Sequence, residues 1–343
     1  MQGTAPSVTG APVAAGLSRR VFIGAAGTAG VLAAAGRVLP AASAATPAHC
    51  FFGSNQDVFL DIKRGEVIQG TNPPRHSPPV PGLRGVRIYG GKPGKNGNNL
   101  SHHWPQGPSP SDQGPIVYSI YPIPDTVINP KNPAHSETMT AIEKLIETAP
   151  PASYLNAWHE ALSLKGSTPP SVTPAVMKSL HTVLNNMCRA SAKVTYGSIF
   201  GGDANFLVNP GTSAPAACPP KSSAPHVWDS VPDDLGFYGV DVYGGDDIDK
   251  NMCFLDTLIS NAKLKAVSGY PKIIIAETNN RSTDANRVEW FDQVAQRMHQ
   301  YGSNAVGILT FWGGVHARLS GAWDPKDDAV IRGMNHVINK ILV

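Results

Sequence analysis

Charged residues are scarce in this sequence. They make up 15% of its 343 residues, whereas 41% are apolar. The formal charge of +3 comes entirely from Arg19, Arg20 and Arg37, which lie in an N-terminal segment without acidic residues. The rest of the chain is therefore electrically balanced. Because nucleic acids and anionic membranes bind basic surfaces, this composition argues against both as partners and fits a neutral substrate better.

Long apolar runs are also absent. The uncharged stretch between the second and third arginines has about 16 residues, fewer than the roughly 20 that a membrane-spanning helix needs. The segment Ser18–Ile23 reads Ser-Arg-Arg-Val-Phe-Ile and is similar to the twin-arginine consensus, and Ala42–Ala44 offers a small-residue cleavage site. We expect residues 1–45 to be a twin-arginine signal peptide and residues 46–343 to be one secreted domain. A membrane anchor is the alternative.

Cysteine is rare as well, with four residues at wide spacing: Cys50, Cys188, Cys218 and Cys253. No Cys-x-x-Cys pair is present, which argues against a structural zinc site. An even number of cysteines in an exported chain suggests two disulfides, with Cys218 to Cys253 as the favoured pair. Four buried thiols are the alternative.

Several catalytic motifs are missing. The sequence has no Gly-x-Ser-x-Gly elbow of the α/β-hydrolases and no dinucleotide fingerprint after the first predicted strand. His159 and Glu160 begin like the zinc motif His-Glu-x-x-His, but its second histidine is absent. We therefore expect neither a metal nor a cofactor.

Short apolar runs alternate with amphipathic segments along the chain. Each run has 5 to 8 residues and is apolar almost throughout, as in a strand that is covered on both faces. The eight runs are Cys50–Ser54, Gly85–Tyr89, Ile116–Tyr121, Tyr154–Trp158, Lys193–Ile199, Gly236–Tyr243, Lys272–Ala276 and Ala305–Phe311. The predicted helices are Ser136–Ala149, Pro174–Ala190, Asp249–Leu264, Asp284–Tyr301 and Asp327–Leu342. This alternation predicts an α/β fold, a single (β/α)8 TIM barrel.

Three long loops follow predicted strands 2, 5 and 8. They are Gly90–Gly114, Gly201–Asp234 and Gly313–Pro325. In a (β/α)8 barrel, the loops that follow the strands gather at the C-terminal face, where active sites form. We therefore expect the active site on that face.

Two acidic residues end predicted strands. Glu160 follows the fourth run and Glu277 follows the seventh. A carboxylate directly after an apolar strand is costly unless the protein uses it. Glycosidic bond cleavage needs two carboxyl groups, because one protonates the leaving oxygen while the other attacks the anomeric carbon or activates water. A single acid here would be better explained as a helix-starting residue, but the pair favours catalysis.

The order of these motifs resembles the clan A retaining glycoside hydrolases, in which an acid/base Glu ends strand four and a nucleophile Glu ends strand seven. The pair His159 and Glu160 is similar to family 26, which includes mannanases and some xylanases and lichenases. Gly239–Tyr243 resembles the sixth strand of that group, whose Tyr holds the nucleophile. Ile308–Trp312 resembles an eighth strand that ends in a sugar-stacking aromatic. The resemblance implies that Glu160 is the acid/base and Glu277 the nucleophile.

Other side chains are expected around these two acids. Arg87, in the second run, would keep Glu277 ionised by its charge, or would otherwise pair with a structural carboxylate. Tyr243 would donate a hydrogen bond to Glu277, or would otherwise fill the barrel. His159 would orient Glu160 or bind a sugar hydroxyl, or would otherwise be a core histidine.

Tryptophans are the expected sugar platforms, because sugars present flat apolar faces. Trp104, Trp158 and Trp312 lie in or beside the predicted C-terminal loops. Trp312 is the favoured platform, whereas Trp158 is as readily explained as a packing residue.

Together these patterns predict a secreted, monomeric glycoside hydrolase that cleaves β-glycosidic bonds of a polysaccharide or oligosaccharide with retention of configuration. A TIM barrel that binds glycans without cleaving them is the alternative. The separation of the Glu160 and Glu277 carboxyl groups distinguishes the two, because retention requires about 5 Å between them.

Overall fold

A computed structural model of the chain describes twelve stretches of the sequence. They are residues 50–55, 67–68, 75–76, 80–90, 114–150, 152–159, 172–201, 227–232, 234–244, 272–280, 284–310 and 328–340. The expected signal peptide and most of the three predicted loops lie outside these stretches.

Eight parallel strands form a closed barrel. In chain order they are β1 (Phe51–Asn55), β2 (Val86–Tyr89), β3 (Ile116–Ile120), β4 (Ser153–Ala157), β5 (Val194–Phe200), β6 (Phe237–Gly244), β7 (Lys272–Asn280) and β8 (Ala305–Thr310). Each strand pairs with its neighbours in the chain, and β1 pairs with both β2 and β8 to close the barrel. All eight predicted strands and the (β/α)8 fold are confirmed.

Helices follow four of the strands in the described part of the chain. They are α1 (Pro124–Ile128), α2 (His135–Glu147), α3 (Pro174–Ser191), α4 (Asp284–Gln300) and α5 (Asp328–Lys340), with short 3-10 turns at Val227–Ser230 and Gly302–Asn304. Four of the five predicted helices are confirmed, and the fifth, Asp249–Leu264, lies outside the described residues. Helix α1 and the two-residue antiparallel strands Val67–Ile68 and Arg75–His76 outside the barrel were not predicted from the sequence.

The start of α3 shows how the sequence defines an element. The Thr173 side chain accepts a hydrogen bond from the backbone N–H of Val176, and Pro174 occupies the first helical position. Thr satisfies a helical donor that has no partner within the helix, and proline has no N–H to leave unsatisfied. The predicted helix start is therefore confirmed in detail.

The core has two layers, which explains why the strands are apolar on both faces. One layer fills the barrel and consists of Phe51, Val117, Tyr154, Ile199, Phe237, Ile274, Ala276 and Leu309. The larger layer lies between the barrel and the helices. The Phe51 ring takes the space beside Gly307, where a Cβ atom would come within 2.1 Å of the ring.

The cysteines differ from expectation. The thiols of Cys50 and Cys188 are free in the structure, so the expected two disulfides are wrong for these residues. Cys188 is buried within the layer between barrel and helices, where it packs as an apolar side chain. Cys218 and Cys253 lie outside the described residues, and their pairing stays a prediction.

None of the helices in the described stretches is both long enough and apolar enough to cross a membrane.

Candidate functional site

An extra residue in β7 turns Glu277 into the barrel. The adjacent residues Val240 and Asp241 of β6 pair with Ile275 and Glu277 of β7, so β7 has one extra residue between them. The pairing of β8 with β7 shows the same extra residue between Ile275 and Thr278. Such a β-bulge changes the face to which the following side chains point. Ala276 and Glu277 both face inward, whereas Thr278 lies outside and accepts a hydrogen bond from Trp290 of α4. Regular alternation would have placed Glu277 against the helices.

A second irregularity follows β4. Trp158 has a φ of 56°, in the left-handed region that disfavours L side chains by roughly 1–2 kcal/mol. The indole N–H donates to the carbonyl of Pro122 at 2.6 Å, and the ring packs edge-on against Tyr121 in the outer layer. The turn at Trp158 brings the next side chain, His159, into the barrel. A bulky residue at positive φ that is held by its neighbours is typical of a functional site.

Three donors surround the Glu277 carboxylate, which is 7% exposed. Tyr89 donates to Oε1 at 2.5 Å, and His159 Nε2 lies 2.9 Å from the same oxygen. Tyr243 donates to Oε2. A carboxylate that accepts hydrogen bonds from three side chains is held in one orientation and in its ionised form.

Arg87 determines which nitrogen of His159 carries the hydrogen. Its Nη2 lies 2.9 Å from His159 Nδ1 and donates to Ser119 at 2.7 Å. A guanidinium has no acceptor atom, so Nδ1 must accept. The ring hydrogen is therefore on Nε2, which points to Glu277.

The pKa of Glu277 follows from these contacts. Burial alone would raise it, because a low-dielectric site disfavours the charged form. The contact with His159, the charge of Arg87 and the hydrogen bond from Tyr243 outweigh burial and hold the pKa of Glu277 well below its ordinary value. Burial and the charge of Glu277 raise the pKa of Tyr89 and of Tyr243 well above 10, so both phenols stay protonated and donate.

Asp241 is a further acid in this cluster. It lies on β6 beside Glu277 in the pairing register, is 0% exposed, and its Oδ2 is 3.1 Å from His159 Nε2. Because it has no exposed surface, Asp241 does not reach a substrate as an acid or a nucleophile. It therefore acts on the site through its neighbours.

The same cluster has the residue types of a metal site. His159, Asp241 and Glu277 each offer a ligand atom within 4.8 Å of the others, a donor set that suits divalent metals. A metal on Nε2 would need the lone pair of that nitrogen and would move the hydrogen to Nδ1, directly against the Arg87 guanidinium. The cluster therefore does not fit a metal ion.

The structure brings together Arg87, His159, Tyr243 and Glu277 from the predicted site. His159 contacts Glu277 and Asp241 through one ring nitrogen and Arg87 through the other, so its described contacts differ from the expected ones with Glu160 or a sugar.

Trp158 was also among the predicted sugar-binding residues. It is 6% exposed and its indole N–H is already bonded, so it packs in the core rather than presenting a platform, as its alternative interpretation states. Glu160, Trp104 and Trp312 lie outside the described residues, and their roles stay predictions.

Two residues of the cluster, Tyr89 and Asp241, had no predicted contact with Glu277 or His159. Each has a signal in the sequence. Tyr89 is two residues after Arg87, and Asp241 is two residues before Tyr243, so each shares the inward face of its strand with a predicted site residue.

Comparisons with known proteins support the fold. No protein-family model matches the sequence, and no curated protein matches it. A GH26 β-mannanase from Bacteroides ovatus has a TM-score of 0.50 at 13% identity, covering 85% of this chain and 89% of that chain. A family 5 xyloglucanase from Paenibacillus pabuli has a TM-score of 0.47 at 10% identity, covering 85% of this chain and 99% of that chain. The likeness to the mannanase confirms the predicted resemblance at the level of the fold.

The contact between Tyr243 and Glu277 is open to a direct test. Tyr243→Phe removes one donor to the ionised carboxylate, so the pKa of Glu277 rises towards its ordinary value. A carboxyl group whose folded-state pKa is lowered contributes stability above its unfolded pKa, and loses that contribution as the pH falls through the folded pKa. We expect the free-energy difference between wild type and variant to shrink by about 1 kcal/mol between pH 6 and pH 2, measured by urea unfolding.

Tyr238→Phe is the matched control, because that phenol lies on the same strand and donates to the carbonyl of Pro232. Its stability difference from wild type should not change over this pH range. A difference for Tyr243→Phe that is equally independent of pH would contradict the contact.

Proposed function

We propose that this protein is a glycoside hydrolase that cleaves β-glycosidic bonds with retention of configuration. The observation that carries the proposal is Glu277. It lies towards the C-terminal end of a barrel strand, where active sites of this fold form. It is ionised and oriented, and 7% of its surface is exposed, whereas Asp241 has none. Burying a carboxylate among three donors is costly for the fold. A nucleophile needs the charge, the fixed orientation and the access to substrate that Glu277 has.

In the proposed mechanism, a Glu277 oxygen attacks the anomeric carbon of the bound sugar. The bond to the glycosidic oxygen breaks, and that oxygen takes its electron pair and the proton of Glu160. Glu160 then removes a proton from water, which attacks the anomeric carbon and releases Glu277. The strongly acidic character of Glu277 suits the second step, because a weak base is a good leaving group.

The substrate is proposed to be a β-linked polysaccharide or oligosaccharide. The balanced charge of the chain outside residues 1–45 fits a neutral ligand. The fold likeness to a GH26 β-mannanase supports the inclusion of mannans among the glycans to be tested. Trp104 and Trp312 are proposed to stack on sugar rings.

Glu277→Gln tests the proposal. The variant keeps the shape of the side chain but removes the nucleophile, so we expect turnover of the cleaved glycan to fall by about 10³-fold or more. The measurement is release of reducing ends from mannans, glucans, xylans and fungal and bacterial β-glycans by the purified mature protein. Glu289→Gln, an exposed glutamate on α4, is the matched control and should keep wild-type activity.

Glu160→Ala separates the two carboxyl groups in the same experiment. It should lose activity on glycans, yet form the covalent intermediate from aryl glycosides whose leaving group needs no proton. Activity of Glu277→Gln within severalfold of wild type would exclude the mechanism. Binding of a glycan by the wild type without cleavage would support a non-catalytic glycan-binding barrel instead.

Export by the twin-arginine route is proposed from residues 1–45. Replacing Arg19 and Arg20 together by Lys keeps the charge but removes the paired arginines, so we expect the precursor to remain in the cytoplasm of a bacterial host. Arg37→Lys is the control and should be exported. The readout is the precursor and mature protein in each fraction by immunoblot, and normal export of the double variant would contradict the proposal.

A further inference from the structure

Asp241 and Glu277 both place a carboxyl oxygen close to one potential donor, His159 Nε2. The Nε2 atom of His159 is 2.9 Å from Oε1 of Glu277 and 3.1 Å from Oδ2 of Asp241. Arg87 holds the other ring nitrogen as an acceptor, so Nε2 carries a single hydrogen. One N–H therefore faces two carboxylates that belong to neighbouring strands.

The two acceptors differ in what happens to them during the proposed reaction. Glu277 loses its charge when its oxygen bonds to the anomeric carbon, because the product is an ester. An ester oxygen accepts hydrogen bonds more weakly than a carboxylate does. Asp241 is fully buried and does not react, so its carboxyl oxygen remains beside Nε2 as an acceptor throughout.

We propose that Asp241 is a positioning residue. It accepts a hydrogen bond from the His159 N–H while Glu277 is an ester, and Glu277 accepts that hydrogen bond again when its carboxylate re-forms. This inference rests on the proposed glycoside hydrolase function. His159 keeps its proton in both steps. The proton that reaches the leaving oxygen comes from Glu160, and the electron pair of the broken glycosidic bond goes to that oxygen.

Asp241 offers the buried N–H of His159 an acceptor while Glu277 is an ester. Without Asp241, the N–H would face only a weakly accepting ester, and a buried donor without a good acceptor is costly. That cost would add to the barrier for forming the ester. With Asp241 in place, a carboxylate is 3.1 Å away in the resting state, so the ring needs little movement to reach it.

The first test does not depend on activity. Protein labelled with ¹⁵N-histidine is examined by NMR, and the Nε2–H resonance of His159 is assigned by its loss in His159→Gln. We expect Asp241→Asn to shift this resonance, because the group 3.1 Å from Nε2 changes from a carboxyl to an amide. Asp234→Asn is the control, since that carboxylate pairs with Arg189 at the surface. An unchanged resonance in Asp241→Asn would overturn the close approach of Asp241 to this N–H on which the proposal depends.

The second test measures the covalent step. With an aryl glycoside, Asp241→Asn should slow the burst of phenol release by about 10-fold while the KM for substrate changes by less than about twofold. Asp234→Asn should match wild type. Asp241→Ala is a second variant, and thermal unfolding of both confirms that they fold.

The outcomes separate the two proposals. A wild-type protein without activity on any glycan or aryl glycoside would overturn both the proposed function and the role of Asp241. An active wild type with an unaffected burst rate in both Asp241 variants would overturn the role of Asp241 alone. A change confined to KM would also overturn it, because it would place Asp241 in substrate binding.

Discussion

The buried guanidinium of Arg87 is the group on which the rest of the site depends. It is 1% exposed, donates to Nδ1 of His159 and lies 4.6 Å from the centre of the Tyr89 ring. His159 and Tyr89 both donate to the same oxygen of Glu277, so one cation supports two of the three donors. Because arginine has only donors, the contact with Nδ1 defines the tautomer of the neutral His159 ring. Its charge also offsets the burial of Glu277.

Two strand irregularities convert a packed barrel into this site. A regular barrel points every second side chain inward, and in β4 and β7 that alternation does not present His159 and Glu277 to the interior. The bulge before Glu277 and the left-handed turn at Trp158 each reverse the alternation at the last residues of the strand. The backbone cost at Trp158 is offset by its bonded indole and its burial. Function thus resides where the strands depart from ideal geometry.

The fold was predictable because strands covered on both faces are continuously apolar and alternate with amphipathic helices. The same continuity conceals the site, because Ile273, Ile274 and Ile275 show no alternation from which a bulge could be inferred. No glycine marks the positive φ of Trp158. Arg87 lies where its charge acts on Glu277. Its contact with His159 depends on how side chains from β2 and β4, two positions apart around the barrel, meet at its centre, and sequence spacing does not define that.

Trapping the covalent bond between Glu277 and the sugar tests the proposed chemistry most directly. A 2-deoxy-2-fluoroglycosyl fluoride of the cleaved sugar slows both steps but carries a good leaving group, so a covalent intermediate accumulates. Mass mapping of peptides from the labelled protein should find one fluorosugar on Glu277, and none in Glu277→Gln. An adduct on a different carboxylate, or turnover that inverts the anomeric configuration, would contradict Glu277 as the nucleophile of a retaining enzyme.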